Sequence, residues 1–331
     1  MVKTALLLAA LAPLAPWAQA GTRVTVDGLD PRIELGEIAA WLQEKPPLSK
    51  IITPATESYV EDVRRHFAAF TRHPAVTGSV PFTAPRISSE WQAFKRRSRI
   101  LLGRAPVADK EAAGWDETLR AFERDTDFSR FFAAAAKRYD PALDKFRQRL
   151  AGLDYVGMIE TYTGMPLDAE VRIIFTPMME ARQPQSGETA HLRESGERVI
   201  HNIFSTLLLD NLGGKGLPED VPHRLWHEAG HVYLDPLYLK NRELIDKRRP
   251  SGLSPEEWPD YIQDLIAQAV VVRLFTAHMG EQEGARQLAY EDEEDAARLK
   301  PLLASLRRYE KKRKRYETLE KFYPELIRAL R

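Results

Sequence analysis

The chain of 331 residues has no cysteine. Disulfides are excluded, and any transition-metal site must be built from histidine and carboxylates. The chain also lacks an excess of either charge, since 48 Lys and Arg balance 48 Asp and Glu. No positive field is available for nucleic acid or for an anionic membrane surface. Beyond residue 20 no apolar run approaches ~18 residues, so nothing there reads as a membrane span. Internal repeats and low-complexity tracts are missing as well. Histidine is scarce, with eight in the whole chain.

What is present begins with a leader. Lys3 supplies a positive start, Ala5 to Trp17 a short apolar stretch, and Ala18-Gln19-Ala20 a small-x-small cleavage pattern. Pro13 and Pro16 interrupt the apolar stretch, which is too short to span a bilayer comfortably. The expectation is export, with cleavage before Gly21, to the periplasm or the medium.

The rest divides into a mainly helical region, 21–160, and a region of mixed character, 161–331. Thr22–Asp27 alternates like a short strand. Asp30-Pro31 opens a helix, and Thr53-Pro54 pairs a capping side chain with a proline at the first helical position. Gly114 to Leu153 is helical, split at Pro141. Val171–Met178 and Arg198–Leu207 are β-rich runs. The polar stretch between them, with Pro184, Ser186 and Gly187, reads as a hairpin loop or arm. The glycines of Asp210–Gly216 follow no phosphate-binding pattern and read as a connection. Ser254-Pro255, or alternatively Pro259, starts a helix that runs to about His278. The basic run Lys311–Arg315 is broken by Glu310 and Glu317 and reads as a solvated helix face. The fold class expected is α+β, mainly helical, with a small mixed sheet against the helix described next.

That helix carries His227-Glu228-Ala229-Gly230-His231. Histidines four apart share one helix face, about 6 Å apart along the axis, so both imidazoles can reach one Zn²⁺. Glu228 is about 100° round the helix, placed to serve as general base toward a water at the metal. Glu219 and Asp220 suit the positive end of the helix dipole, and Pro236 is read as the helix end. Gly230 is read as a site of close packing. The blander reading is a solvated or core-satisfied His pair. His66, His73, His191 and His201, each lone on a helix or strand, are read as structural.

Zinc takes a third protein ligand and leaves a position open. His223 and His231 are about 12 Å apart along one helix, too far to share an ion, and Asp235 fails against His227 by the same distance. Asp235 remains able to orient a ligand from behind. Asp264 lies among Ile262, Leu265, Ile266, Ala269 and Val270, where a buried carboxylate needs a partner. Asp260, one turn earlier, is its rival. Tyr290, Tyr261 and His278 are open alternatives as oxyanion donor. One β-run, near Val171–Met178, is expected to offer an edge to an extended peptide.

The HEAGH helix followed by a helix with an acidic ligand resembles the gluzincin branch of the zincin metallopeptidases. There the second helix reads Asn-Glu with an acidic residue four on; here it reads Gln263-Asp264 with Gln268. The chain is also similar to a family of secreted bacterial proteins of unknown function. That similarity rests on Asp30–Leu35 (DPRIEL), the HEAGH helix running into Asp235-Pro236, and Tyr309–Pro324. The resemblance implies a zincin-like catalytic domain in 161–331 and a zinc-dependent hydrolase acting on peptides or proteins. Metal ligands would be His227, His231 and Asp264, with Glu228 as base. The competing expectation is a non-catalytic, zinc-stabilised binding module.

Overall fold

Residues 23–44, 48, 52–78, 101, 110–182, 187–194, 197–210 and 220–330 are described by the computed structural model. The leader at 1–20, Pro184 and Ser186, and Asn211–Gly216 lie outside these residues.

The fold is mainly helical with one small sheet. Its strands are β1 (Arg23–Leu29), β2 (Glu170–Thr176), β3 (Gly187–Glu194) and β4 (Glu197–Ser205), in the order β1-β2-β4-β3. The first three in that order are parallel, and β3 is antiparallel to β4. In β2, Val171, Ile173, Ile174 and Phe175 are all buried, as expected of a parallel strand covered on both faces. β2 is therefore interior, which overturns the expectation that Val171–Met178 offers an edge; the sheet edges are β1 and β3. The polar stretch after β2 is more than a loop. Its GETAHLRE segment pairs along its full length with β4, and main-chain pairing needs no apolar run to announce it.

The helices before β2 are α1 (Pro31–Glu44), α2 (Pro54–His66), α3 (Pro74–Thr77), α4 (Lys110–Asp125), α5 (Phe128–Ala136), α6 (Asp140–Leu150) and α7 (Tyr155–Thr163). Thr53 caps α2 as the sequence suggests, and Asp30 caps α1 in the same way. Asp30 Oδ1 accepts from Arg32 N at 2.8 Å, and Thr53 Oγ1 accepts from Thr56 N at 3.2 Å. The 114–153 stretch breaks once more than Pro141 requires, at Asp127, which takes a left-handed conformation with φ 51°. Aspartate tolerates this region better than most residues. α7 stops at Gly164, φ 68°, where an added Cβ would lie 2.3 Å from the Glu317 carbonyl oxygen.

After β2 come α8 (Pro177–Arg182), α9 (Leu207–Asp210), α10 (Asp220–Asp246), α11 (Trp258–Met279), α12 (Glu281–Ala289), α13 (Glu293–Lys311) and α14 (Leu319–Ile327). α10 carries HEAGH and does not end at Pro236. It continues to Asp246, because Leu237, Tyr238 and Ile245 remain buried beyond the proline. Their burial offsets the single hydrogen bond that proline cannot donate to the Val232 carbonyl. α11 starts at Trp258 rather than at Pro255. Before it, Ser254 and Glu257 bond reciprocally, Glu257 N to Ser254 Oγ and Ser254 N to Glu257 Oε2, a capping box one turn early.

One hydrophobic cluster runs from Leu35 to Leu330 and draws on helices of both halves of the chain. α10 lies in it against β3, β4, α7, α11 and α14. The helix that carries HEAGH is thereby fixed against a sheet on one side and a second helix on another. Among the described residues no helix is long and apolar enough to cross a membrane.

Candidate metal centre

The site forms where α10 and α11 pack. Leu225, Trp226, Ala229 and Val232 face inward from α10 and are buried. Trp226 meets Phe275 of α11 edge to face, 4.9 Å between ring centroids. With that face buried, His227 and His231 lie along the border toward α11, their rings 4.9 Å apart. Across from them, Asp264 of α11 brings Oδ1 to 3.3 Å from His231 Nε2 and 3.8 Å from His227 Nε2. The two Nε2 atoms are 3.2 Å apart. All three donor atoms fall within 4.8 Å of one another. Asp260, one turn earlier, lies outside this group.

These spacings can be tested against an ion. Tetrahedral coordination with bonds near 2.0–2.1 Å separates the donors by about 3.3–3.4 Å. The separations of 3.2, 3.3 and 3.8 Å fit such an ion with small adjustments. The donor set also fits: two imidazoles and one carboxylate, with no thiolate, leave a fourth position open. His227 Nδ1 is buried without a hydrogen-bond partner. A protonated ring would strand an N–H there, so the neutral form is favoured.

The electrostatics separate the two histidines. Burial, followed by the neighbouring His231, pushes His227 well below the ordinary histidine value. Burial also works against protonation of His231, but hydrogen bonds to Asp235 and Asp264 outweigh it and hold that ring well above the ordinary value. The two rings are thus pushed in opposite directions, His227 toward the neutral form and His231 toward the protonated one. Asp235 Oδ1 accepts from His231 Nδ1 at 3.0 Å. It stands behind the donor cluster rather than in it, as the spacing along the helix anticipates. Glu228 is buried, and its charge acts on His231.

Two expectations need correction. Asp264 is not buried in apolar company: its neighbours are, but its own side chain is 57% exposed. Solvent therefore reaches the donor cluster from this side. Gly230 is not a close-packing site, since an added Cβ would meet only Leu234 Cδ1 at 3.9 Å.

The other histidines and tyrosines singled out by the sequence stand outside the donor cluster. His66 stacks on Phe131 at 4.6 Å and bonds to the Thr126 carbonyl; His73 caps α3 by accepting from Ala75 N. His201 is buried in β4, and His191 lies on β3. Of the oxyanion alternatives, Tyr261 donates its hydroxyl to Asp295. His278 packs near Trp226, fourteen residues and so about 21 Å along α11 from Asp264. Tyr290, just past α12, is 58% exposed. His223, one turn before His227, is joined through Nδ1 to Gln287 of α12 at 3.0 Å. That link has no sequence signal, because it depends on α12 folding back beside α10. Burial lowers the His223 pKa to about 4.

Residues 99–329 match a family model described as a domain of unknown function, DUF4932. The chain belongs to this family. The DUF4932 region takes in β2 to β4 and α4 to α14, and so the whole donor cluster; β1 and α1 to α3 precede it. No curated protein and no solved structure matches the chain.

Proposed function

We propose that this chain is an exported zinc-dependent hydrolase, a peptidase of the HExxH type with zincin character, acting on peptides or proteins. The observation that carries the reading is the convergence of His227 Nε2, His231 Nε2 and Asp264 Oδ1 beside Glu228. A purely structural zinc site has no need of that carboxylate, whereas a hydrolytic one does. Export rests on the leader pattern of residues 1–20, and N-terminal sequencing of exported protein should begin at Gly21.

Zinc held there would act as a Lewis acid, polarising a carbonyl and lowering the pKa of water towards ~7. The rest falls to the chain. Asp235 accepts from His231 Nδ1 and so turns the Nε2 lone pair toward the ion. Asp264 completes the set from α11. Glu228 takes a proton on its carboxylate from the attacking water and returns it to the leaving amine nitrogen. Buried on α10, it is held close to the ligand face without occupying it.

Glu228→Gln tests the reading, because a neutral amide cannot accept the proton. The variant should retain one zinc per chain and lose about 10²–10⁴-fold in hydrolysis. Full activity in this variant, on a substrate the wild type cleaves, would overturn the peptidase mechanism and leave a zinc-stabilised binding module.

A further inference from the structure

We propose that His223 is a hydrogen-bond acceptor for a backbone N–H of the bound peptide, locked in that role by a relay through Gln287 and Glu283. The proposal rests on the peptidase reading above and adds a substrate-positioning residue to it.

The relay has a fixed direction. Glu283 is clamped by Arg286, with Nε at 3.0 and 2.9 Å from its two oxygens and Nη2 at 2.7 Å. A carboxylate so paired is ionised and can only accept. Gln287 Nε2 lies 2.9 Å from Glu283 Oε1, so the amide must direct its NH₂ group there. Its Oε1 is then the atom facing His223 Nδ1, at 3.0 Å. An amide oxygen only accepts, so Nδ1 carries the hydrogen. In the neutral ring this leaves Nε2 as a bare lone pair. Gln287 is 4% exposed, so water does not readily replace it as the partner.

The position suits a substrate contact. His223 is one turn before His227, and the two rings lie nearly parallel, 7° apart in plane with centroids 6.2 Å apart. That separation is about one to two residues of an extended chain at roughly 3.3 Å each. A peptide with its carbonyl at the donor cluster would bring a neighbouring N–H alongside His223. The His223 ring is half-buried rather than sealed in the core. It stands outside the ligand group, and neither zinc binding nor the proton transfer by Glu228 makes use of it.

A metal-anchored probe isolates this contact. Acetyl-trialanine hydroxamate, and analogues each methylated at one amide nitrogen, would be titrated calorimetrically into zinc-loaded wild type, His223→Ala and Gln287→Leu. In wild type, methylation at one position should weaken binding about 2–10-fold, the range of a single hydrogen bond. In His223→Ala the parent probe should bind weaker by a similar factor, and the same methylation should cost nothing. Gln287→Leu, which frees the tautomer without touching the probe, should give a partial loss, and zinc should stay at one per chain in both variants. A methylation penalty that survives unchanged in His223→Ala would overturn the proposal. Loss of zinc from His223→Ala would overturn it too, by making the residue a ligand. No zinc-dependent binding of the parent probe to wild type would instead remove the peptidase reading, and this proposal with it.

Discussion

At His231 two carboxylates divide one ring: Asp235 holds Nδ1 and Asp264 faces Nε2. His227 has no such partner at Nδ1 and stays neutral. Asp235 thereby occupies the side of the His231 ring opposite the atom that faces His227 and Asp264. A second residue-level feature lies far from the cluster. Glu34 of α1 is fully buried and accepts from Tyr59, Thr176 and Met178 N. Burial raises its pKa from 4.5 to about 7 against the pull of these donors, with Glu37 adding a smaller push. The folded state therefore binds the Glu34 proton more tightly than the unfolded state. Its contribution to stability is complete below pH 4.5, is lost as pH rises through about 7, and amounts to on the order of 3 kcal/mol. Glu34→Gln should flatten the decline in unfolding free energy across that window, whatever it does to the absolute value. Denaturant unfolding at pH 5, 6, 7 and 8 checks this, and parallel slopes for both proteins would contradict it.

Among the elements, α10 is a long helix with a glycine just before His231 and a proline just after Asp235. Gly230 has room for a Cβ, its nearest contact being 3.9 Å away, so Gly230→Ala should add about 1 kcal/mol through helix propensity. Gly164→Ala should instead destabilise, because φ is 68° and the Glu317 carbonyl stands 2.3 Å from the added atom. Thermal unfolding of the two variants should move in opposite directions, and a shift of the same sign in both would refute the assignment. The elements differed in how well the sequence announced them. Thr53-Pro54 and Asp30-Pro31 advertise helix starts through local chemistry, and local chemistry decides them. β3 is polar and Pro236 is a formal helix breaker, so tertiary pairing and burial decided both against their local signals. The i, i+4 histidines and Asp264 were legible because helix spacing fixes the first two and reach leaves few choices for the third. The His223–Gln287 contact and the interior place of β2 were not legible, since each depends on which distant segments meet.

In the whole molecule, the parallel pairing of β1 with β2 ties the start of the fold to its second half and sets the sheet under α10. From the far side, α11 is braced by a half-buried pair. Arg273 binds Glu310 of α13 through two bonds at 2.8 and 2.7 Å, and Tyr162 of α7 donates to the same carboxylate. Breaking such a pair from one side leaves a charge stranded, so the pair holds α11 in place against α7 and α13. Asp264 thus reaches the histidines from a helix that is anchored independently of any ion. We propose that this architecture holds zinc on His227, His231 and Asp264. Elemental analysis of the purified chain tests it most directly, with His231→Ala and Asp264→Ala prepared in parallel. The wild type should carry about one zinc per chain and both variants should lose it; a wild type that stays metal-free after zinc loading, or two variants that keep full stoichiometry, would contradict the proposal.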